Sequence, residues 1–129
     1  MTGRVILFLQ HGTFEPAYQA ASICITAAAM GDEVVVVFAF EALKALARDA
    51  FGRPNEREQA ESTRAEGLGL PSPAKMLAEA RALGVRLVAC DTTVKLCGLA
   101  PRDLVGRLDE TLGLPSIWRL TEGARVLSL

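Results

Sequence analysis

Seven consecutive positions, Val34 to Phe40, carry no charged or hydrogen-bonding side chain, and Val5 to Leu9 is a shorter run of the same kind. A strand with one wet face alternates apolar and polar residues. A run apolar at every position reads instead as a strand buried on both faces, as in a parallel sheet covered by helices. Val85 to Cys90 repeats the pattern with one interruption, Arg86. Parallel strands need crossover connections long enough for a helix, and the segment between the first two runs supplies one. It opens on Glu15 and Pro16, favourable in a first turn, and closes at Gly31, favourable just past a helix end.

The rhythm continues along the chain. Pro73 to Leu83 reads as a helix ended by Gly84, and Val85 to Cys90 as the third strand. Asp91, Thr92 and Thr93 offer capping oxygens for a further helix through Cys97, ended by Gly98, and Pro101 can begin the next. Ser116 to Gly123 fits a short helix better than an irregular strand, and Arg125 to Leu129 a closing strand. The expected fold class is α/β: a three-layer sandwich of four or five mostly parallel strands with helices on both faces. A chain of 129 residues makes one such domain, 1–129. Phe51 to Leu70 breaks the rhythm. It is rich in Glu, Arg, Asn, Gln and Gly, and its polarity predicts a flexible insertion, a lid near the strand ends.

Half of the residues are hydrophobic, enough for an aliphatic core, which excludes a chain disordered throughout. The net charge of −1 comes from interspersed acids and bases. Neither nucleic-acid phosphates nor an anionic membrane surface is therefore expected as a partner. Val5 to Leu9 is shorter than the apolar part of a signal peptide, and Gly31, Asp32 and Glu33 interrupt the apolar stretch from Ile23 to Phe40 before it can span a bilayer. A cytoplasmic location is expected. Three cysteines without paired spacing fit reduced thiols better than a disulfide framework.

Ligand sites in parallel sheets lie beyond the carboxyl ends of the strands. Two segments there carry reactive groups: Gln10-His11-Gly12-Thr13 after the first strand, and Cys90-Asp91-Thr92-Thr93 after the third. At a strand-to-helix junction, free N–H groups favour the thiolate of Cys90 and make it a usable nucleophile. Asp91 beside it opposes a second negative charge. Position alone leaves the other reading open, a small hydrophobe ending a buried strand. Cys97, seven residues on, would stand ~10 Å from Cys90 along a helix, beyond the ~7 Å that a disulfide allows. It reads as structural, with a resolving role only if the helix unwinds. Cys24 falls within an Ala-rich helix and reads as core. His11, the one histidine, can activate a thiol if the two loops converge, and its loop can offer N–H groups to an anion. One histidine and three scattered cysteines supply no metal-ligand spacing, and no phosphate-binding or dinucleotide-binding glycine motif follows any strand. No metal and no cofactor is expected.

Three stretches look familiar. Ala27-Ala28-Ala29-Met30-Gly31-Asp32-Glu33-Val34, running into Phe38-Ala39-Phe40, resembles the first helix and second strand of DsrE/DsrF-like proteins. Lys75-Met76-Leu77, and Ala82-Leu83-Gly84-Val85-Arg86-Leu87-Val88-Ala89-Cys90, are similar to the same family, and Leu96-Cys97-Gly98-Leu99 continues the likeness. The resemblance implies an α/β sandwich, assembly into homo-oligomers such as trimers or hexamers, and relay of sulfur as a cysteine persulfide. Members carry that sulfur on a cysteine after the third strand, where Cys90 stands, with His11, Asp91, Thr92, Thr93 and Cys97 as candidate supporting residues. Donor and acceptor proteins or small thiols are the implied partners, with sulfurtransferase or persulfide carrier as the activity. The chain departs from the pattern at 51–70. Two other readings stay open: a small-molecule or anion-binding module using the His11 loop, and an oligomeric accessory protein without a reactive thiol.

Overall fold

The computed structural model describes residues 3–129. Its five strands are β1 (Arg4–Leu9), β2 (Glu33–Phe38), β3 (Arg86–Cys90), β4 (Glu110–Leu112) and β5 (Arg125–Ser128). They form one sheet in the order β4-β3-β2-β1-β5, with every neighbouring pair parallel. Seven helices are described: α1 (Phe14–Ala29), α2 (Phe40–Ala47), α3 (Gln59–Gly67), α4 (Pro73–Ala82), α5 (Asp91–Leu96), α6 (Pro101–Leu104) and α7 (Leu114–Leu120). This is the α/β sandwich that the apolar runs require.

Side chains alternate between the two faces of each strand, and the core divides accordingly. Val5, Leu7 and Leu9, with Val34, Val36, Phe38, Leu87 and Ala89, pack against α1, α2 and α4. Ile6, Val35, Val37 and Val88 point the other way, toward Ile117 of α7. Burial of each such aliphatic side chain stabilises the fold by roughly 1.5–3 kcal/mol. The faces are unequally covered. The first has α1, α2 and α4, with Leu104 of α6 added, whereas the second has the seven-residue α7, whose Leu114 and Trp118 remain exposed.

Several expectations change. The second apolar run predicts a strand to Phe40, yet β2 stops at Phe38 and Phe40 opens α2. Residues 51–70, polar and nearly empty of core residues by sequence, are not one long loop. They contain a 3-10 turn (Glu56–Glu58) and α3, and they bury Phe51, Glu58 and Ala65. Asp91, Thr92 and Thr93 lie within α5 rather than ahead of it. The N-cap is Cys90, with no side-chain cap bond. The short β4, with no periodic signal of its own, is placed by Asp109, whose carboxylate accepts from the Leu87 N–H at 2.7 Å and from Arg81 at 2.6 Å.

Candidate functional site

The carboxyl edge of the sheet holds both segments singled out by sequence, and the fold treats them differently. After β1 the chain turns through Gln10 to Thr13 into α1. Gly12 leaves little room there, because a Cβ at that position would stand 3.0 Å from Ala42 Cα and from Ala45 Cβ. The first turn of α1 offers free N–H groups, and Glu58 takes them. Its carboxylate accepts from the Phe14 N–H at 3.2 Å and the Glu15 N–H at 2.8 Å. It also accepts from the Thr13 hydroxyl at 3.1 Å and the Asn55 N–H at 3.0 Å. Glu58 is 1% exposed. Burial alone would push its carboxyl up, but the four bonds outweigh burial and hold it below its ordinary value of 4.5. The anion expected at this turn is thus supplied by the chain itself. Glu15, beside it, is shifted upward by a hydrogen bond to Glu61 and by the charges of Glu61 and Glu58.

After β3, Cys90 is half-buried in extended backbone (φ −73°, ψ 132°) at the start of α5. Its Sγ lies 3.9 Å from Asp91 Oδ1, a contact too long to hold the thiol firmly. The Thr92 hydroxyl meets the same carboxylate oxygen at 3.5 Å. Since α5 has six residues, few aligned peptide dipoles stand behind the sulfur. Beside Asp91 a groove of about 460 Å³ opens, lined by Val94, Leu99, Leu104, Leu108 and Thr111 among others. A volume in this range accommodates a small ligand or a short peptide segment.

The other candidates do not converge on Cys90. His11 is exposed and faces Glu41, Nδ1 to Oε2 at 3.8 Å, while the second oxygen of Glu41 accepts the Gly12 N–H at 3.3 Å. Because β2 lies between β1 and β3, the two strand ends are about 10 Å apart at ~4.8 Å per strand. Cys90 packs against the cluster on the α7 face and Cys97 against the cluster on the opposite face. Cys97 Sγ approaches the Phe40 carbonyl at 4.0 Å. Cys24 is 1% exposed, and burial pushes its thiol up to about 12. Glu58 and Phe40, both prominent at this edge, were missed from sequence. Asn55-Glu56-Arg57-Glu58 does carry the N-x-x-E spacing of a capping box, a local signal for Glu58.

Three solved structures share this architecture over nearly the whole chain. A protein of unknown function, MTH1491, from Methanobacterium thermoautotrophicum aligns with TM-score 0.68 and 20% identity, over 98% of this chain and 99% of that one. The ychN protein from E. coli aligns with TM-score 0.63 and 15% identity, over 98% and 99%. Conserved protein of unknown function BT1422 from Bacteroides thetaiotaomicron gives 0.58 and 14%, over 96% and 94%. At these identities the likeness is one of fold. No protein-family profile and no curated protein matches the chain in sequence. Among the described residues no helix is long and apolar enough to cross a membrane.

Proposed function

We propose that this is a sulfur-relay protein of the DsrE/DsrF-like type that carries sulfur as a persulfide on Cys90. The observation that carries the reading is the place of Cys90: a half-buried thiol without a firm partner, at the carboxyl end of β3 where the chain turns into α5. The Cys90 thiolate attacks the outer sulfur of a donor persulfide. A new S–S bond forms on Cys90, the donor's S–S bond breaks, and the donor leaves as a thiolate with the electron pair. Attack by an acceptor thiolate on the outer sulfur returns Cys90 to its starting state, so the cycle is redox-neutral and needs no metal or organic cofactor. Donors and acceptors are proteins or small thiols, and the working compartment is the cytoplasm, where thiols stay reduced.

The working form in this reading is a homo-oligomer, a trimer or hexamer. Supporting it are the thin cover of the second sheet face and the exposure of Leu114 at 61% and Trp118 at 73% on α7, apolar surface of the kind that subunits bury. A single experiment tests the central claim. After incubation with a persulfidated donor, intact mass of the wild type gains one sulfur atom, Cys90→Ala gains none, and Cys24→Ala and Cys97→Ala load as the wild type does. Loading that persists without Cys90 overturns the reading. An accessory, non-catalytic oligomer of the same fold is the second reading, favoured by the same α7 surface, and it predicts assembly with no loading at all. Binding of a free anion at the His11 loop is the weakest of the three, because Glu58 already fills the first turn of α1.

A further inference from the structure

Among the described residues the backbone enters the left-handed region at two non-glycine positions, Phe40 (φ 45°) and Asp49 (φ 54°). Asp49 suits that conformation, because a short polar side chain tolerates it, and Arg107 holds its carboxylate at 3.0 and 2.6 Å. A bulky aromatic residue does not suit it and carries a backbone cost. Backbone bonds to the end of β1 flank the turn: the Ala39 N–H donates to Leu9 O at 2.9 Å and the Ala42 N–H to Gln10 O at 3.0 Å, and between them β2 gives way to α2. Glycine or asparagine would make that turn with less strain. The ring also contributes little to the interior. Phe40 is 47% exposed and, among the described residues, belongs to neither core cluster and to no aromatic pair.

Its position is the second observation. β2 is the central strand of five. Phe38 lies opposite Ala89, so Phe40 leaves the sheet one residue past the level of Cys90 on the adjoining strand. On one side of it Cys97 Sγ approaches its carbonyl, and on the other Glu41 faces His11. A strained elbow thus holds an exposed aromatic ring at the midpoint of the sheet's carboxyl edge.

We infer that Phe40 is a recognition residue of the Cys90 site, contacting an apolar or aromatic group on the molecule that exchanges sulfur with Cys90. The inference rests on the Cys90 reading and sharpens it. The favoured partner is a thiol or disulfide on an apolar or aromatic body, in preference to a small polar sulfur compound.

The test compares two reagents on a Cys97→Ala background, with Cys24 shielded by burial. Methyl methanethiosulfonate is small, and dipyridyl disulfide is aromatic. With each, the Cys90 thiolate attacks one sulfur and forms a mixed disulfide. The reagent's own sulfur–sulfur bond breaks, and methanesulfinate or pyridinethiolate leaves with the electron pair. In Phe40→Gly and Phe40→Asn the aromatic-to-methyl rate ratio is expected to fall roughly three- to tenfold, the size of one aromatic contact. The urea midpoints of both variants should equal or exceed the parent's as the strain is released. An unchanged ratio with normal Cys90 modification overturns the role of Phe40 and leaves Cys90 standing. A lowered midpoint in both variants marks Phe40 as a packing residue and overturns the inference. Inertness of Cys90 toward both reagents overturns the Cys90 reading and takes the Phe40 assignment with it.

Discussion

The carboxyl ends of β1 and β3 are two versions of the same junction, a parallel strand turning into a helix. At the first, Glu58 arrives from 43 to 45 residues away and fills the helix start with a carboxylate bound by four donors. At the second, a thiol stands over a short helix with one contact of 3.9 Å. A junction of this kind can be spent on the fold or left available for chemistry. Here the chain closes one with its own charge and leaves the other half-open.

The largest expected effect tests the open junction. A thiol titrating at about 12 is ionised in roughly one molecule in 10,000 at pH 8. Native-state alkylation followed by peptide mass mapping should therefore label half-buried Cys90 far faster than Cys24, whose thiol is both protonated and buried. Comparable rates would mean that Cys90 is as closed as the core. The next effect tests the closed junction: Glu58→Ala leaves buried N–H groups of α1 unpaired and should lower stability by about 2–4 kcal/mol in urea denaturation. A loss below about 0.5 kcal/mol would erase the contrast between the ends.

A smaller effect follows from pH. The folded-state pKa of Glu58 is depressed below 4.5, so its contribution is complete above pH 4.5 and is lost as pH falls through the folded value. Glu15, shifted upward, works in the opposite sense and gains as it protonates, while Arg57 nearby favours the charged carboxylates. Amide-exchange protection across 53–70 should fall below pH 4.5 before that of the sheet, and Glu58→Gln should remove the difference. The smallest effect is a control on an ion pair that bonds to neither Glu58 nor Cys90. The Arg107 and Asp49 side chains are 31% and 72% exposed, and Arg107→Ala should cost under about 1 kcal/mol and leave Cys90 labelling unchanged.

The strands β1, β2 and β3 were legible because burial on both faces leaves a run of Val, Ile and Leu that little else explains. The helices α1, α4 and α5 were legible from proline, glycine and spacing. What escaped was set by tertiary contact. Glu58 looks like one more surface acid: the Asn55-to-Glu58 spacing records its local cap, but its partners at Thr13, Phe14 and Glu15 lie 43 to 45 residues away, where no local pattern points. Phe40 looks like the end of a strand, since the left-handed turn that redirects it is flanked by long-range hydrogen bonds to Leu9 and Gln10 that the residue pattern does not show. The separation of Cys90 from Cys97 was partly legible: strand alternation puts Cys90 on the face of Val88, whereas the face of Cys97 depends on how α5 folds back over the sheet.

The pairing of β5 with β1 has a consequence for biosynthesis. β1 leaves the ribosome well before β5, the neighbour it pairs with. Residues 125–128 are made about 115 residues after Leu9, and at 5–20 residues per second that is a delay on the order of ten seconds. Throughout it the backbone of Val5 to Phe8, which bonds to Arg125 to Ser128 in the finished sheet, offers a bare apolar edge to any extended chain nearby. Nascent chains stalled before residue 125 should therefore be the species that chaperones hold, and the four-residue β5, itself exposed throughout, is the element that ends their exposure.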